Sequence, residues 1–160
     1  MALALYCYDG SADAGNAIER SAPLLGGHDA LVLCVFDSML AVQAGDFPYP
    51  DMLPLEDVER VDDAARRRSL EVAAAGCDLL RARGCDAQPA AVESVGAVWR
   101  TILEEADSRD AAVIVLGSRG LTGVRSLVLG SVSHGVVNHS HRPVLVIPSQ
   151  GDSSDTPRGD

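Results

Sequence analysis

Short apolar segments alternate with longer amphipathic segments along this chain, and that alternation restricts the fold more than any other feature. Strands that alternate with helices usually lie parallel in one sheet, because each helix carries the chain back across a face of that sheet. The sequence therefore predicts an α/β fold, an open doubly wound five-stranded parallel sheet with helices on both faces.

The predicted elements follow the order β-α-β-α-β-α-β-α-β. Apolar runs predict strands at Ala2–Tyr8, Asp29–Phe36, Asp86–Val92, Ala111–Leu116 and Pro143–Ile147. Apolar residues at helical spacing predict helices at Ala12–Leu25, Glu56–Arg83, Val95–Ser108 and Ser131–Ser140. The second strand is apolar on both faces, which is typical of a buried strand in a parallel sheet.

Two segments do not fit this pattern. Three prolines exclude a long helix from Asp37–Leu55, and a loop of this length is typical of a lid or a mobile excursion. Residues 149–160 are mostly polar and predict a disordered tail. We therefore expect one folded domain at residues 1–148, which is a usual size for a single core.

Charge and composition exclude several classes of function. The net charge of −10 argues against nucleic-acid binding, which depends on basic residues that displace counterions. All 13 basic residues are arginine, so the P-loop lysine and Schiff-base chemistry are both excluded. No run approaches the ~20 apolar residues of a membrane span, and the N-terminus lacks the basic start of a secretory signal. We expect a cytoplasmic protein with no membrane segment and no metal site.

The segment Leu116–Gly135 (LGSRGLTGVRSLVLGSVSHG) carries the pattern of an anion site. A predicted strand ends, a loop opens with Gly117 and Gly120, and Gly130-Ser131 leads into a predicted helix. Glycine permits positive φ and close backbone approach, and the first N–H groups of a helix attract anions. Ser131 is predicted as the N-cap hydroxyl and a phosphate donor, and Ser133 adds a second hydroxyl.

The spacing of these glycines, G-x2-G-x9-G-[ST], separates the segment from two common phosphate motifs. A dinucleotide fingerprint has G-x-G-x-x-G after the first strand, and a P-loop has G-x-x-x-x-G-K-[ST]. Neither pattern occurs here. On the glycines alone, a glycine-rich connector in front of a well-capped helix remains the alternative.

This pattern, followed by Val132 and closing in PVLVIP (143–148), resembles the ATP-binding signature of the universal stress protein family. The resemblance extends to YDGS (8–11) and VLCVFD (32–37), and covers roughly residues 2–148. It implies a Rossmann-like fold of the adenine nucleotide alpha hydrolase type, with ATP and Mg²⁺ as the bound ligand.

The resemblance also implies which residues contact the adenosine. Asp9, with the backbone of Cys7 and Tyr8, would lie beside the adenosine, and the main chain of Val35 would hold the adenine. Gly117 would approach the ribose. Such positions agree with the rule that ligands bind beyond the carboxyl ends of the strands.

For the phosphates, the resemblance implies that Arg119 and Gly120 border the phosphate loop. The N–H groups and hydroxyls that bind the phosphates would come from the start of the following helix, at Gly130, Ser131, Val132 and Ser133.

The function predicted from these features is an ATP-binding stress-response or regulatory module rather than an enzyme. The loop region has no histidine–carboxylate pair and no paired carboxylates to position water or a base. Two alternatives remain: a weak ATPase or nucleotidyl-transferring enzyme on a related fold, and a nucleotide-free dimeric scaffold.

The last predicted strand also suggests how the chain assembles. Pro143–Ile147 should lie at a sheet edge, where Val144–Ile147 provide no charge or bulge to protect the unpaired backbone. We therefore expect a homodimer through this strand, as the family resemblance also implies. The alternative is a monomer whose tail folds over the edge.

Overall fold

A computed structural model of the chain describes residues 2–39, 54–120 and 129–149. Within these ranges the strands are β1 (Leu3–Cys7), β2 (Asp29–Asp37), β3 (Ala87–Ser94), β4 (Ala111–Gly117) and β5 (Val144–Ile147). The helices are α1 (Ala12–Ser21), α2 (Leu55–Arg81), α3 (Val98–Ser108) and α4 (Ser131–His139), and a 3₁₀ turn, Ala22–Leu24, follows α1. All strand pairs are parallel, in the order β3-β2-β1-β4-β5. The predicted fold class is confirmed.

Each face of the sheet has its own apolar core. On one face, alternate strand residues such as Tyr6 and Val32 pack with Ile18 of α1 and Leu80 of α2. On the other face, their neighbours pack against the remaining helices, α3 and α4; this second core contains Leu5, Leu33, Ile114, Ile102 and Val136. The strand order reverses between β1 and β4, and α/β sheets bind ligands at such a reversal, beyond the carboxyl ends of the strands.

The turn from β1 into α1 forms as the sequence predicts. Gly10 has a φ of +83°, which few other residues adopt without strain. A carboxylate oxygen of Asp9 accepts the Ser11 N–H at 2.9 Å, and the Ser11 hydroxyl oxygen accepts the Ala14 N–H at 3.1 Å. Ser11 therefore caps α1, and Asp9 is held at the end of β1.

Several element ends differ from the prediction. Asp37 continues β2 instead of opening a loop, and β3 extends to Ser94. The first helix ends at Ser21, before Pro23, which supplies no N–H to an α-helix. The third helix begins at Val98 rather than Val95, because the Ser94 hydroxyl closes a turn by donating to the Gly96 carbonyl at 3.0 Å.

Some predictions lie wholly or mostly outside the described residues. These are the lid function of the segment after β2, the middle of the glycine-punctuated loop and the disordered tail. None of the helices in the described ranges has the length and apolarity that a membrane crossing requires.

The position of β5 at a sheet edge agrees with the prediction, since it pairs with β4 alone among the described strands. Arg142 fixes the start of β5 by donating to Asp107 at 2.7 Å and Asp110 at 3.0 Å, and also to the Ala111 carbonyl. The opposite edge strand, β3, contains Pro89, which lacks one backbone donor.

Candidate functional site

A cavity of about 450 Å³ opens at the carboxyl ends of β1, β2 and β4, between the starts of α1 and α4. The structure brings every site residue that the sequence predicts to its wall. These residues are Cys7, Tyr8, Asp9, Val35, Gly117, Arg119, Gly120, Gly130, Ser131, Val132 and Ser133.

Six further described residues line the same cavity and were not predicted as site residues: Ala14, Leu33, Asp37, Val98, Ile102 and Leu116. Leu33 and Asp37 could have been found from the alternation along β2, because they share a face with Val35. Val98 and Ile102 carry no such signal, since their place depends on how α3 packs on the sheet. The apolar members of this set form one wall of the cavity.

The end of β1 forms another part of the wall. The Tyr8 N–H donates to the Leu33 carbonyl at 2.9 Å, which fixes the backbone of β1 beside β2 beyond their last paired residues. The Tyr8 ring packs against α2, where Gly76 leaves room for it: a Cβ at Gly76 would lie 2.9 Å from the ring. The bulky side chain is therefore accommodated by the helix on the opposite face.

The thiol and the phenol at this end of the cavity are both held in their neutral forms. Burial, with a smaller contribution from the charge of Asp9, raises the pKa of Cys7 to about 12. Burial and Asp9 also raise the pKa of Tyr8. Because the thiolate is the reactive form of cysteine, Cys7 is a poor nucleophile at neutral pH.

The start of α4 forms a further part of the cavity wall. Gly130, with φ −60° and ψ 158°, occupies the N-cap position, and no side chain caps the helix there. The predicted N-cap, Ser131, is instead the first helical residue, and it is exposed. The helical ladder begins with the His134 N–H donating to the Gly130 carbonyl at 2.8 Å. The N–H groups of residues 131–133 therefore precede the ladder.

Two of the predicted phosphate donors already have partners in the backbone. The Gly130 N–H donates to the Ser118 carbonyl at 2.8 Å, and the buried Ser133 hydroxyl donates to the Gly117 carbonyl at 2.8 Å. Both bonds tie the start of α4 to the end of β4. This leaves the N–H groups of residues 131–133 and the Ser131 hydroxyl as candidate anion donors.

None of the three signature glycines has an unusual backbone angle, and two of them serve close packing. The positive-φ glycines of the described chain are Gly10, Gly27 and Gly84, so the predicted use of positive φ at the signature is wrong. Close approach, the other predicted reason, is observed at two of the three positions. A Cβ at Gly117 would lie 3.0 Å from the Asp13 carbonyl oxygen, and one at Gly120 would lie 3.0 Å from a carboxylate oxygen of Asp9.

The charged side chains on the wall are distributed unevenly. Asp9 follows β1 and Asp37 is the last residue of β2, whereas Arg119 lies in the segment between β4 and α4, beside Gly130. The described residues contain no group of three histidine, cysteine or acidic side chains that could hold a metal ion. His139 lies away from the cavity: it stacks on Trp99 at 4.3 Å, and its Nδ1 is 2.9 Å from the Gly135 carbonyl oxygen.

Comparison with known proteins gives one family. The model of the universal stress protein family matches residues 4–148 of this chain. Universal stress protein YxiE of Bacillus subtilis is 27% identical over 95 residues, which are 59% of this chain and 63% of that protein. The match thus spans less than two thirds of that relative's length.

Solved structures share the fold. MJ0577 of Methanocaldococcus jannaschii gives a TM-score of 0.73 at 21% identity, over 94% of this chain and 97% of that chain. A universal stress protein in complex with cAMP gives 0.62 at 21% identity, over 91% and 96%. A universal stress protein from Archaeoglobus fulgidus in complex with dAMP gives 0.55 at 17% identity, over 92% and 97%.

Proposed function

The chain belongs to the universal stress protein family, and from that premise we propose that it binds an adenine nucleotide, ATP with Mg²⁺, as a regulatory module. The observation that carries the proposal is the cavity between the end of β2 and the start of α4. Its volume lies within the range of ~300–1,000 Å³ that is usual for small-ligand sites.

The start of α4 supplies the phosphate end of this site. Backbone N–H groups ahead of the helical ladder, together with the helix dipole, favour a bound anion. The Ser131 hydroxyl and the Arg119 side chain add donors that suit phosphate oxygens. Mg²⁺ is usually held by substrate phosphates and water, so it needs no cage of protein ligands.

The end of β2 supplies the adenosine end. Leu33, Val98 and Ile102 form an apolar surface against which a flat base can pack, and the main chain of Val35 lies beside it. Asp9 and Gly117, nearer the centre of the sheet, would meet the ribose. The ligands of the cAMP and dAMP complexes in the family have adenine in common, which supports this base for the present chain.

A regulatory role fits the side chains on the wall better than catalysis does. No histidine is among the described lining residues, and the Cys7 thiol is neutral. One oxygen of the Asp9 carboxylate already accepts the Ser11 N–H. A general base needs a free acceptor close to the attacking water. Among the described lining residues, neither Asp9 nor Asp37 has a histidine partner.

The test is a thermal melt and a calorimetric titration with MgATP. A ligand that binds only the folded state at a hundredfold excess over its dissociation constant adds about 2.7 kcal/mol of stability. For a domain of this size that raises the melting temperature by about 5–10 °C. Absence of both a shift and a heat of binding would contradict the proposal.

A pair of variants at Ser131 separates binding from folding. Ser131→Asp puts a negative charge at the helix start, which stabilises α4 but repels phosphate. Ser131→Asn has a similar size without the charge and serves as the matched control. We expect the Asp variant to lose MgATP affinity at least tenfold relative to the Asn variant, with no loss of melting temperature. Equal affinities would count against phosphate at this position.

We further propose a homodimer through β5. This edge strand is short and wholly apolar, and three of its residues remain partly accessible in the single chain. The other edge strand, β3, has Pro89 and Glu93, which oppose pairing with another strand. Pairing of β5 with its copy about a twofold axis would satisfy the exposed backbone groups.

A further inference from the structure

Two acidic residues, Asp9 and Asp37, are among the described lining residues of the cavity, and the proposed contacts do not use Asp37. It is the last residue of β2 and is paired in register with Ser94 of β3. Side chains two residues apart along a strand share a face. Leu33 and Val35 belong to the core on the α3–α4 face, so Asp37 continues their row beyond the base-binding surface.

The carboxylate of Asp37 is exposed, and within the described ranges no hydrogen bond or ion pair involves it. Arg66, a basic side chain close to this strand end, lies over the ring of Phe36 at 5.6 Å and pairs with Glu93 at 3.8 Å. Phe36 alternates with Asp37 and so lies on the opposite face of the strand. The Asp37 carboxylate is thus available to a ligand in the cavity.

An ionised carboxylate only accepts hydrogen bonds, so it selects a ligand group that donates. Two residues along a strand span about 6.6 Å, which is comparable to the width of a purine. A base packed beside Val35 can therefore reach Asp37 with its outer edge. In adenine that edge carries the 6-amino group, a donor, beside an unprotonated N1, whereas guanine and hypoxanthine carry a 6-oxo acceptor beside an N1–H donor.

We propose that Asp37 is a specificity-determining residue that selects 6-amino purines by accepting a hydrogen bond from the exocyclic amine. This inference rests on the proposed nucleotide site and adds to it the choice of base. A 6-oxo purine in the same position would place its oxygen against the carboxylate. A site that hydrogen-bonds a ligand group discriminates strongly against an analogue that lacks the group, because its own polar atom is then unpaired.

The test compares ATP with inosine triphosphate, because the two share the sugar and the phosphates and differ at position 6. We expect the wild-type chain to bind ATP at least tenfold more tightly in calorimetry. Asp37→Ala should bring the ratio of the two dissociation constants well below its wild-type value. Asp37→Asn, whose amide also offers a donor, should favour inosine triphosphate relative to the wild type.

Glu93→Gln is the matched control, because it removes the same charge from the adjacent strand on the other face. The ratio of its dissociation constants for the two nucleotides should equal that of the wild type. The assignment of Asp37 is overturned if the wild-type chain binds the two nucleotides equally, or if both Asp37 variants keep the wild-type preference for ATP. Either result leaves the nucleotide site intact. A chain that binds neither nucleotide overturns both. If the variants change instead the preference for ATP over 2′-deoxy-ATP, Asp37 contacts the ribose and the inference is wrong.

Discussion

The signature glycines should respond very differently to the same substitution, and Gly117→Ala is the most informative case. A Cβ at Gly117 would lie 3.0 Å from the carbonyl oxygen of Asp13 and 3.1 Å from its carbonyl carbon. Carbon atoms in favourable contact are at least about 3.5 Å apart, so β4 and α1 must separate locally by about 0.4 Å. The atoms involved are backbone on both sides, and no change of rotamer can relieve the contact.

Overpacking of this kind typically costs about 1–3 kcal/mol. For a domain of this size, each kcal/mol lowers the melting temperature by about 2–4 °C. We therefore expect Gly117→Ala to melt about 2–12 °C below the wild type. Thermal and urea unfolding, followed by circular dichroism and by the fluorescence of the single tryptophan, Trp99, would measure the change.

Gly130→Ala is the matched control. Its φ of −60° is accessible to alanine, and its Cβ would meet the Arg119 backbone at an ordinary 3.5 Å. The lower entropy of the unfolded alanine variant and the weaker N-cap preference of alanine oppose each other, so the net change should stay within about 1 kcal/mol. The packing explanation of the signature is incorrect if Gly117→Ala melts at the same temperature as the wild type. It is also incorrect if Gly130→Ala loses as much stability as Gly117→Ala.

Three further predictions follow from the site and the edge strand. Phosphate release from MgATP should remain well below ~1 s⁻¹, the lower end of ordinary enzyme turnover, and a faster rate would favour the ATPase alternative. Val146→Lys should convert a dimer to a monomer in light scattering, whereas a wild-type monomer at tens of micromolar would contradict the β5 interface. Burial raises the pKa of Cys7 from 9.0 to about 12 and that of Tyr6 from 10.0 to about 12. Unfolding then releases protons at high pH, so the free energy of unfolding should fall as pH rises from 9 towards 12. Cys7→Ala should flatten this fall in a series of melts, and an unchanged slope would exclude Cys7 as a contributor.

Sequence patterns predicted this fold and much of the cavity wall because both depend on where strands end. Ser11, for example, is a local N-cap, and its partner Ala14 lies three residues away in the chain. Parallel strands bring their carboxyl ends to one edge of the sheet, so residues that follow different strands meet there without any long-range information. For Cys7, Val35 and Gly117 this rule agrees with the positions that the family resemblance implied, and all three line the cavity.

What the sequence could not supply depends on packing between elements. Val98 and Ile102 reach the cavity only because α3 lies across the sheet at a particular angle, and no local pattern encodes that angle. Val95 was predicted inside α3, yet it is 78% exposed in the turn that the Ser94 hydroxyl closes. The apolar side chain of Val95 therefore predicted a helix start that is too early. Hydrogen bonds from a serine hydroxyl to the nearby backbone compete with the first turn of a helix.

The start of α4 at Ser131 agrees with the prediction, but its N-cap is Gly130 rather than Ser131, and this one-residue difference has a chemical consequence. With Gly130 rather than Ser131 at the N-cap, the Ser131 hydroxyl has no capping bond to make and is exposed at the cavity wall. A serine at the N-cap would accept a bond from the backbone of the first turn, and it would then compete with a phosphate for the same N–H groups. Glycine at the cap therefore leaves both the hydroxyl and the first-turn donors to a ligand.

The hydrogen bonds of Ser118 explain why the Ser131 hydroxyl and the first-turn N–H groups of α4 have a fixed direction without a ligand. Its N–H donates to the Ile147 carbonyl at 2.9 Å, its carbonyl accepts the Gly130 N–H, and its hydroxyl oxygen accepts the Ser149 N–H at 3.0 Å. One residue thereby joins the end of β4 to the start of α4 and to the end of β5. Because these bonds form within the chain itself, an anion that arrives at α4 does not have to order this junction, and that part of the entropic cost of binding is absent. The same bonds connect β5, the proposed dimer strand, to the start of α4 through a single residue, Ser118.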